Sequence, residues 1–468
     1  MRSARAVRPP RRVIPRERFE PMPRVVLIST YDLGRSPFGL ASPAAWLRAA
    51  GCEVRCCDLA VGSLDEDAVR AADLVALHVP MHTATRLALR ILPRLRALAP
   101  RATFAAFGLY AAANAEVLLA AGVTHAIAGE FEAELVALAT GHANGPGAVT
   151  RLDRLAFVVP DRSDLPPLER YARLRVGDLE KVVGATEASR GCKHLCRHCP
   201  VVPVYGGRFR IVPREVVLAD IRQQVAAGAT HVTFGDPDFL NGPGHALPLV
   251  RALHEEFPAL TYDVTIKVEH LLRHADALPV LRETGCAFVV SAVEAFDDRI
   301  LAALEKGHTR VDVERALDLC RAAGLVLQPT FVAFTPWTTL AGYGDMLRAI
   351  DELDLVEAVA PVQLGLRLLI PAGSRLLERE DVRGWISSYD AAGLIHRWAH
   401  DDPRVDALQK SVQSEVERRA LAGEDRESIF AAVRDLAEAA GANPRTRRAH
   451  ARTEHRAPVP FLTEPWYC

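Results

Sequence analysis

The sequence predicts an α/β protein in which an N-terminal doubly wound parallel sheet is followed by a partial (β/α)6 barrel and a helical C-terminal extension. Three observations predict it. The chain has 468 residues, room for about three domains at ~150 residues each. Hydrophobic residues make up 49% and charged residues 25%, which is enough to bury a large core and too apolar for wholesale disorder. Short apolar runs alternate with longer helical stretches in two separate series, the pattern of parallel strands joined by crossover helices.

Residues 1–22 carry Arg2, Arg5, Arg8, Arg11, Arg12, Arg16 and Arg18 among prolines, with few apolar neighbours. Such a segment reads as a disordered basic tail. Met22 stands just before the first strand, and a native N-terminal peptide beginning at residue 22 or 23 would make it the start. Residues 23–141 then read RVVLIST, PAAWLRAAG, EVRCCDL, DLVALHV, the amphipathic stretch Thr85–Leu98, TFAAFG, AEVLLAAG, HAIAGE and FEAELVALA. Alternation of this kind gives a doubly wound domain. His78, Met81 and His82 follow one of its strands and border the crevice expected there, although loop residues of no function would look the same. Residues 142–180 open with many Gly, Pro and Asp and read as a linker.

The second series fills residues 181–376. Its strands are VVGAT (182–186), HVTFG (231–235), LTYDVTIK (260–267), AFVVSAVE (287–294), VLQPTFVAF (326–334) and PVQLGLRLL (361–369). Six βα units suggest a partial barrel, whose chemistry belongs at the C-terminal ends of the strands. That rule selects Arg190–Cys199, Asp236 and Asp238, Lys267, Glu294 and Thr335–Thr339. Residues 377–440 have helical periodicity, and 441–468 read as a loose tail ending in Cys468.

Lys and Arg number 57 against 58 Asp and Glu, so nothing draws the whole chain to nucleic acid or an anionic membrane. No apolar run approaches the ~18 residues of a membrane span, and the start lacks a signal segment; a cytoplasmic protein is expected. The nine cysteines are odd in number and sparse, so reduced thiols are expected rather than a disulfide framework. Cys286 and Cys320 lie in apolar stretches and read as small buried hydrophobes.

Cys192, Cys196 and Cys199 differ, because they fall within one segment, Glu187-Ala-Ser-Arg-Gly-Cys192-Lys-His-Leu-Cys196-Arg-His-Cys199-Pro. Steps of four and three also mark the buried face of a helix, but Lys193, His194, Arg197 and His198 between them, with Gly191 and Pro200 at the ends, make a poor helix core. Three thiolates at this spacing suit an iron–sulfur cluster or a zinc ion. Zinc would take a fourth ligand, which His194 or His198 could supply, and would make the chain a non-catalytic, zinc-stapled binding protein. A four-iron cluster would keep one iron open for chemistry.

The CxxxCxxC segment after the first strand of a (β/α) series resembles the radical S-adenosylmethionine (SAM) superfamily, over about residues 180–376. The resemblance implies that Cys192, Cys196 and Cys199 hold a 4Fe-4S cluster whose open iron is chelated by SAM. The reduced cluster then cleaves SAM to a 5′-deoxyadenosyl radical, with electrons from an external donor such as a flavodoxin or ferredoxin and an unknown small-molecule or peptide substrate. It implies further that His198, before the third cysteine, sits where an aromatic residue usually packs on the adenine. Asp236, in Phe-Gly235-Asp236-Pro237-Asp238-Phe239, would bind the amino group; Lys267 would pair with the carboxylate; Glu294, followed by Lys306-Gly307-His308-Thr309, would accept from the ribose hydroxyls. Pro371-Ala-Gly373-Ser374 resembles the closing loop after the sixth strand.

Residues 24–138 resemble the cobalamin-binding-like domain that precedes many radical SAM cores, including Gly129-Glu130-Phe-Glu132 at its end, which makes cobalamin a candidate cofactor and methyl transfer a candidate reaction. The Asp-x-His-x-x-Gly loop is missing, since Val123 precedes His125 by two, so no axial histidine is expected from it. Finally, Glu464-Pro-Trp466-Tyr467-Cys468 resembles the tail of a radical SAM family ending in Cys-Cys-Ala-Glu-Pro or Cys-Sec-Ala-Glu-Pro. A UGA selenocysteine codon directly after Cys468, with Ala-Glu-Pro in frame beyond it, is expected on that resemblance.

Overall fold

The computed structural model describes residues 22–443 and 459–463. The basic tail up to residue 21 and the Glu464–Cys468 motif lie outside the described residues. The expected α/β architecture is present: a parallel sheet at the N-terminus, a curled half-barrel, and helices near the C-terminus.

The first sheet holds β1 (Arg24–Ser29), β2 (Glu53–Asp58), β3 (Leu74–His78), β4 (Thr103–Phe107), β5 (His125–Gly129) and β6 (Gly147–Arg151), all parallel, in the order β2-β1-β3-β4-β5-β6. The β1 run Val25–Ile28 is buried throughout, as a strand covered on both faces requires. Its period of two sends Val25 and Leu27 to Leu40 and Leu47 of helix Phe38–Ala49, and Val26 and Ile28 to Leu92 and Leu95 of helix His82–Leu98. The strand order reverses between β1 and β3, which places the crevice at their C-terminal ends. One expectation changes here. β6 comes from the stretch read as linker; its Val149 and Thr150 favour an extended edge strand, and the Gly and Pro around them had masked it.

The second sheet runs β14-β13-β12-β11-β8-β7-β17. Its parallel part is β8 (Leu179–Thr186), β11 (His231–Phe234), β12 (Thr261–Thr265), β13 (Cys286–Glu294) and β14 (Val326–Phe331). β7 (Arg173–Val176) and β17 (Phe461–Leu462) extend it antiparallel. In β13, Val289 and Val293 pack against the outer helices while Phe288 and Val290 face the lumen with Val183. The expected sixth strand is reduced to one bridge, Phe334 to Arg367. Pro361 offers no N–H to a ladder, and Pro361–Gly365 coils into a short helix whose Gln363 side chain accepts from the Phe331 N–H at 3.0 Å.

Past residue 376 the helical expectation holds only in part. After helix Glu380–Trp385, the strands β15 (Ile386–Asp390) and β16 (Ile395–Trp398) form a hairpin. Asp390 closes it by accepting from the N–H groups of Ala392 and Gly393, an Asx turn. Helices Pro403–Leu421 and Arg426–Ala439, capped by Asp402 and Asp425, then cover the barrel. Among the described residues no helix is long and apolar enough to cross a membrane.

Candidate active site at the barrel rim

The cysteine segment is an ordered loop at the C-terminal edge of the half-barrel. It starts with β9 (Ser189–Gly191), paired antiparallel with β10 (Phe209–Ile211). Gly191 has φ +77°, and a Cβ there would meet the Arg208 carbonyl oxygen at 2.4 Å, so no larger residue fits the turn into Cys192. Farther along, the Arg197 N–H donates to the Leu304 carbonyl at 2.9 Å. Ser374 Oγ donates to the Arg197 carbonyl at 3.2 Å, and Arg375 to that of Leu195 at 2.6 Å. The loop after Pro371 thus grips the cysteine loop from the opposite side.

Cys196 is buried and Cys192 and Cys199 are half-buried, and none of the eight described cysteines is in a disulfide. Burial pushes the Cys199 thiol up to about 12, helped by the sulfurs of Cys196 and Cys192 beside it. The Cys196 sulfur disfavours the ionisation of both Cys192 and Cys199, a cost that a bound cation would remove. The Lys306 ammonium lies within electrostatic reach of Cys196 and Cys199. A soft donor set of three thiolates fits the three protein-bound irons of a 4Fe-4S cluster.

Glu294 ends β13 at a register shift, with φ +70°. A bulge of this kind re-aims a side chain, and a non-glycine residue held at positive φ is strain retained at a functional position. Its carboxylate accepts from Lys306 Nζ at 3.2 Å and lies 3.2 Å from Nε2 of His198. Burial opposes its charge, but Lys306 and then His198 outweigh that and hold it down at about 2. Lys267, buried at the end of the third barrel strand, places Nζ 3.0 Å from Nδ1 of His194 and 3.3 Å from Glu269. His198, Glu294 and Lys267 therefore sit on one rim with the cysteines.

Asp236 is placed differently from its neighbours. Its carboxylate accepts from the Ala188 N–H at 2.9 Å and from Ser189 Oγ at 2.5 Å, so both oxygens are engaged in fixing the start of the cysteine loop. An amino group would have to displace them. Asp238, two residues on, faces His194 and His270.

Sequence reasoning included Arg190 in the Arg190–Cys199 segment but gave it no role of its own. Its guanidinium donates to Glu187 at 2.8 Å, Glu130 at 3.0 Å and Glu132 at 2.7 Å, under the rings of Phe38, Phe131 and Phe157. Glu130 and Glu132 belong to the Gly129-Glu130-Phe-Glu132 handover, so this buried fork joins the first domain to the cysteine loop. An arginine two residues before the first cysteine was the available signal. Lys306 was visible only inside a longer motif.

Behind Arg190 lies the crevice of the first sheet, about 270 Å³, lined by Asp32, His78, Met81, Arg190 and Tyr205 among others. Burial, with Arg190 nearby, drops the His78 imidazole to about 3, and its ring packs against Gly39, where a Cβ would come within 2.1 Å. His82 turns away to the Gly393 carbonyl, 2.6 Å from Nε2. This volume is at the low end for small-molecule pockets. A cavity of about 630 Å³ opens instead in the barrel lumen, between Asp263, Phe288, Gln328 and Thr330 on the strands and Phe461 of β17.

Residues 186–335 match the Radical SAM superfamily. The hopanoid C-3 methylase of Methylococcus capsulatus is 25% identical over 201 residues, covering 42% of this chain and 36% of that protein. The tRNA-2-methylthio-N(6)-dimethylallyladenosine synthase of Erythrobacter litoralis is 27% identical over 234 residues, 46% of this chain and 51% of its own. The chain thus spans between about a third and a half of these relatives. In structure it is similar to OxsB, a cobalamin-dependent radical SAM enzyme solved with aqua-cobalamin and SAM, with TM-score 0.68 and 13% identity over 90% of this chain and 72% of that one. The methyltransferase TsrM of Kitasatospora setae, solved with tryptophan and a SAM analogue, gives TM-score 0.54 and 21% identity over 71% of each chain. Over residues 186–335 the half-barrel of this chain is a radical SAM domain, of the family that works with a 4Fe-4S cluster and SAM, and the chain as a whole shares the fold of OxsB.

Proposed function

We propose that the protein is a radical SAM enzyme that cleaves SAM at the rim of its half-barrel and starts a radical reaction on a substrate in the lumen. The observation that carries this reading is the convergence of Cys192, Cys196 and Cys199 with Glu294, His198 and Lys267 on one edge of the barrel. When bound, a three-cysteine 4Fe-4S cluster supplies one electron to the sulfonium of SAM.

This chain's residues do the positioning. The cysteine thiolates hold the cluster, and Gly191, Asp236, Ser374 and Arg375 fix their loop. Glu294, kept ionised by Lys306, accepts hydrogen bonds from a diol such as the ribose of SAM. Lys267 supplies a cation for its carboxylate, and His198 a flat face beside its adenine. Asp236 is assigned to the loop rather than to the amino group. The lumen has the size of a small-molecule site, and β17 borders it. The electron donor is an external one-electron carrier such as a flavodoxin or ferredoxin.

Cobalamin-dependent methyl transfer is a narrower version of this reading, and corrinoid analysis of protein purified anaerobically from cobalamin-replete cells tests it. The finer family, the one with the Cys-Cys-Ala-Glu-Pro or Cys-Sec-Ala-Glu-Pro tail, rests on Glu464–Cys468 and is decided by the codons after Cys468. The main reading is tested by incubating the reconstituted protein with SAM and dithionite: 5′-deoxyadenosine should accumulate with wild type and not with Cys192→Ala.

A further inference from the structure

Beside the cysteine loop, three side chains converge that are assigned no part in holding the cluster or SAM. His194 comes from the loop itself, Asp238 from the turn after β11, and His270 from helix Val268–Arg273 after β12. One donor atom from each lies within 4.8 Å of those of the other two. Asp238 is 1% exposed and His270 3%. His270 Nδ1 is 2.7 Å and His194 Nε2 3.5 Å from Asp238 Oδ2, but neither approach has the alignment of a hydrogen bond. Both Asp238 oxygens and these two ring nitrogens are buried without a hydrogen-bond partner among the described residues.

Polar atoms are rarely buried this way, because each one left unpaired is costly. Three of them, one from each side chain, lie within 4.8 Å of one another and share a requirement that a single cation meets. We propose that His194, Asp238 and His270 form a mononuclear site for a divalent first-row metal ion such as zinc or iron(II), separate from the cluster. Two imidazoles and one carboxylate bind such ions while leaving positions open for water or a substrate oxygen.

The surroundings suit it. A metal on Nε2 of His194 puts the ring proton on Nδ1, which lies 3.5 Å from Glu269 Oε2, the carboxylate–imidazole pairing that orients metal-bound histidines. Lys267, now 3.0 Å from that Nδ1, also lies 3.3 Å from the same Glu269 oxygen and keeps that partner. The ligands come from the cysteine loop and from just beyond the ends of two barrel strands, so the ion would tie the loop to the rim.

The probe is zinc(II) itself, added to cluster-loaded protein that has been stripped of loosely held metal and then desalted. About one zinc per chain should remain beyond the cluster iron, and its X-ray absorption should show nitrogen and oxygen neighbours without sulfur. Asp238→Asn and His270→Gln should each cut the retained zinc at least about tenfold, with iron and sulfide per chain unchanged. Wild type that keeps no zinc, zinc bound by sulfur, or variants that keep the wild-type amount would each overturn the proposal. If one variant loses its cluster by misfolding, the other variant and the wild-type spectrum still decide. Failure here would leave SAM cleavage by the cysteine cluster untouched.

Discussion

The two sheets end against the same loop, and their edges are finished in opposite ways. On the side of the first domain, Arg190 is locked to Glu130, Glu132 and Glu187 and only a crevice of about 270 Å³ remains. On the barrel side, the same loop presents three thiols beside Glu294, Lys306 and His198, at the rim of a barrel whose lumen holds a separate cavity of about 630 Å³. Charges buried with partners of opposite sign make a joint; ligand atoms converging on one rim make a site. A fold shared with cobalamin-dependent enzymes therefore does not by itself put the cofactor in the first domain of this chain.

The sharpest way to break this contrast is on the barrel side. Replacing Cys192, Cys196 or Cys199 with Ala should remove the cluster, lowering iron from about four per chain to below about one, as measured after anaerobic reconstitution. On the other side, Arg190→Ala leaves three carboxylates facing one another without their cation. A loss of about 3–5 kcal/mol in unfolding free energy is expected, with Arg190→Lys intermediate because a point charge cannot serve three acceptors; denaturant titration measures it. If Arg190→Ala is nearly neutral, the joint is not what seals the first domain.

Glu294→Gln should spare the cluster and weaken SAM binding by about tenfold or more, the cost of removing a charged hydrogen-bond acceptor, read by equilibrium binding to the reconstituted protein. The smallest effect belongs to Asp58, at the crevice end of β2. Burial raises its carboxyl from 3.8 to about 6, against the opposing N–H of Ala60. A raised acid stabilises the fold in its protonated form, so that contribution is whole below about pH 4 and lost as pH rises through about 6. Asp58→Asn should flatten this fall, with its largest gain in melting temperature above pH 6 and little change at pH 4.

Much of this layout was legible because it is local or periodic. The buried runs of β1 and β13 announce parallel strands, and the Cys192–Cys199 spacing announces a shared metal centre within one short segment. What escaped depends on partners far along the chain. Asp236 reads as a ligand-binding acid until Ala188 and Ser189, nearly fifty residues earlier, are seen to occupy it. The joint at Arg190 needs Glu130 and Glu132, about sixty residues away. Ile386–Trp398 carries helix-compatible spacing, but its aromatic and β-branched residues and the turn at Asp390 favour a hairpin.

The most direct measurement is anaerobic reconstitution followed by joint assay of iron, sulfide and 5′-deoxyadenosine. The account expects a brown protein with about four irons and four sulfides per chain that forms 5′-deoxyadenosine from SAM under reduction. Colourless protein that holds no iron and leaves SAM intact would contradict it.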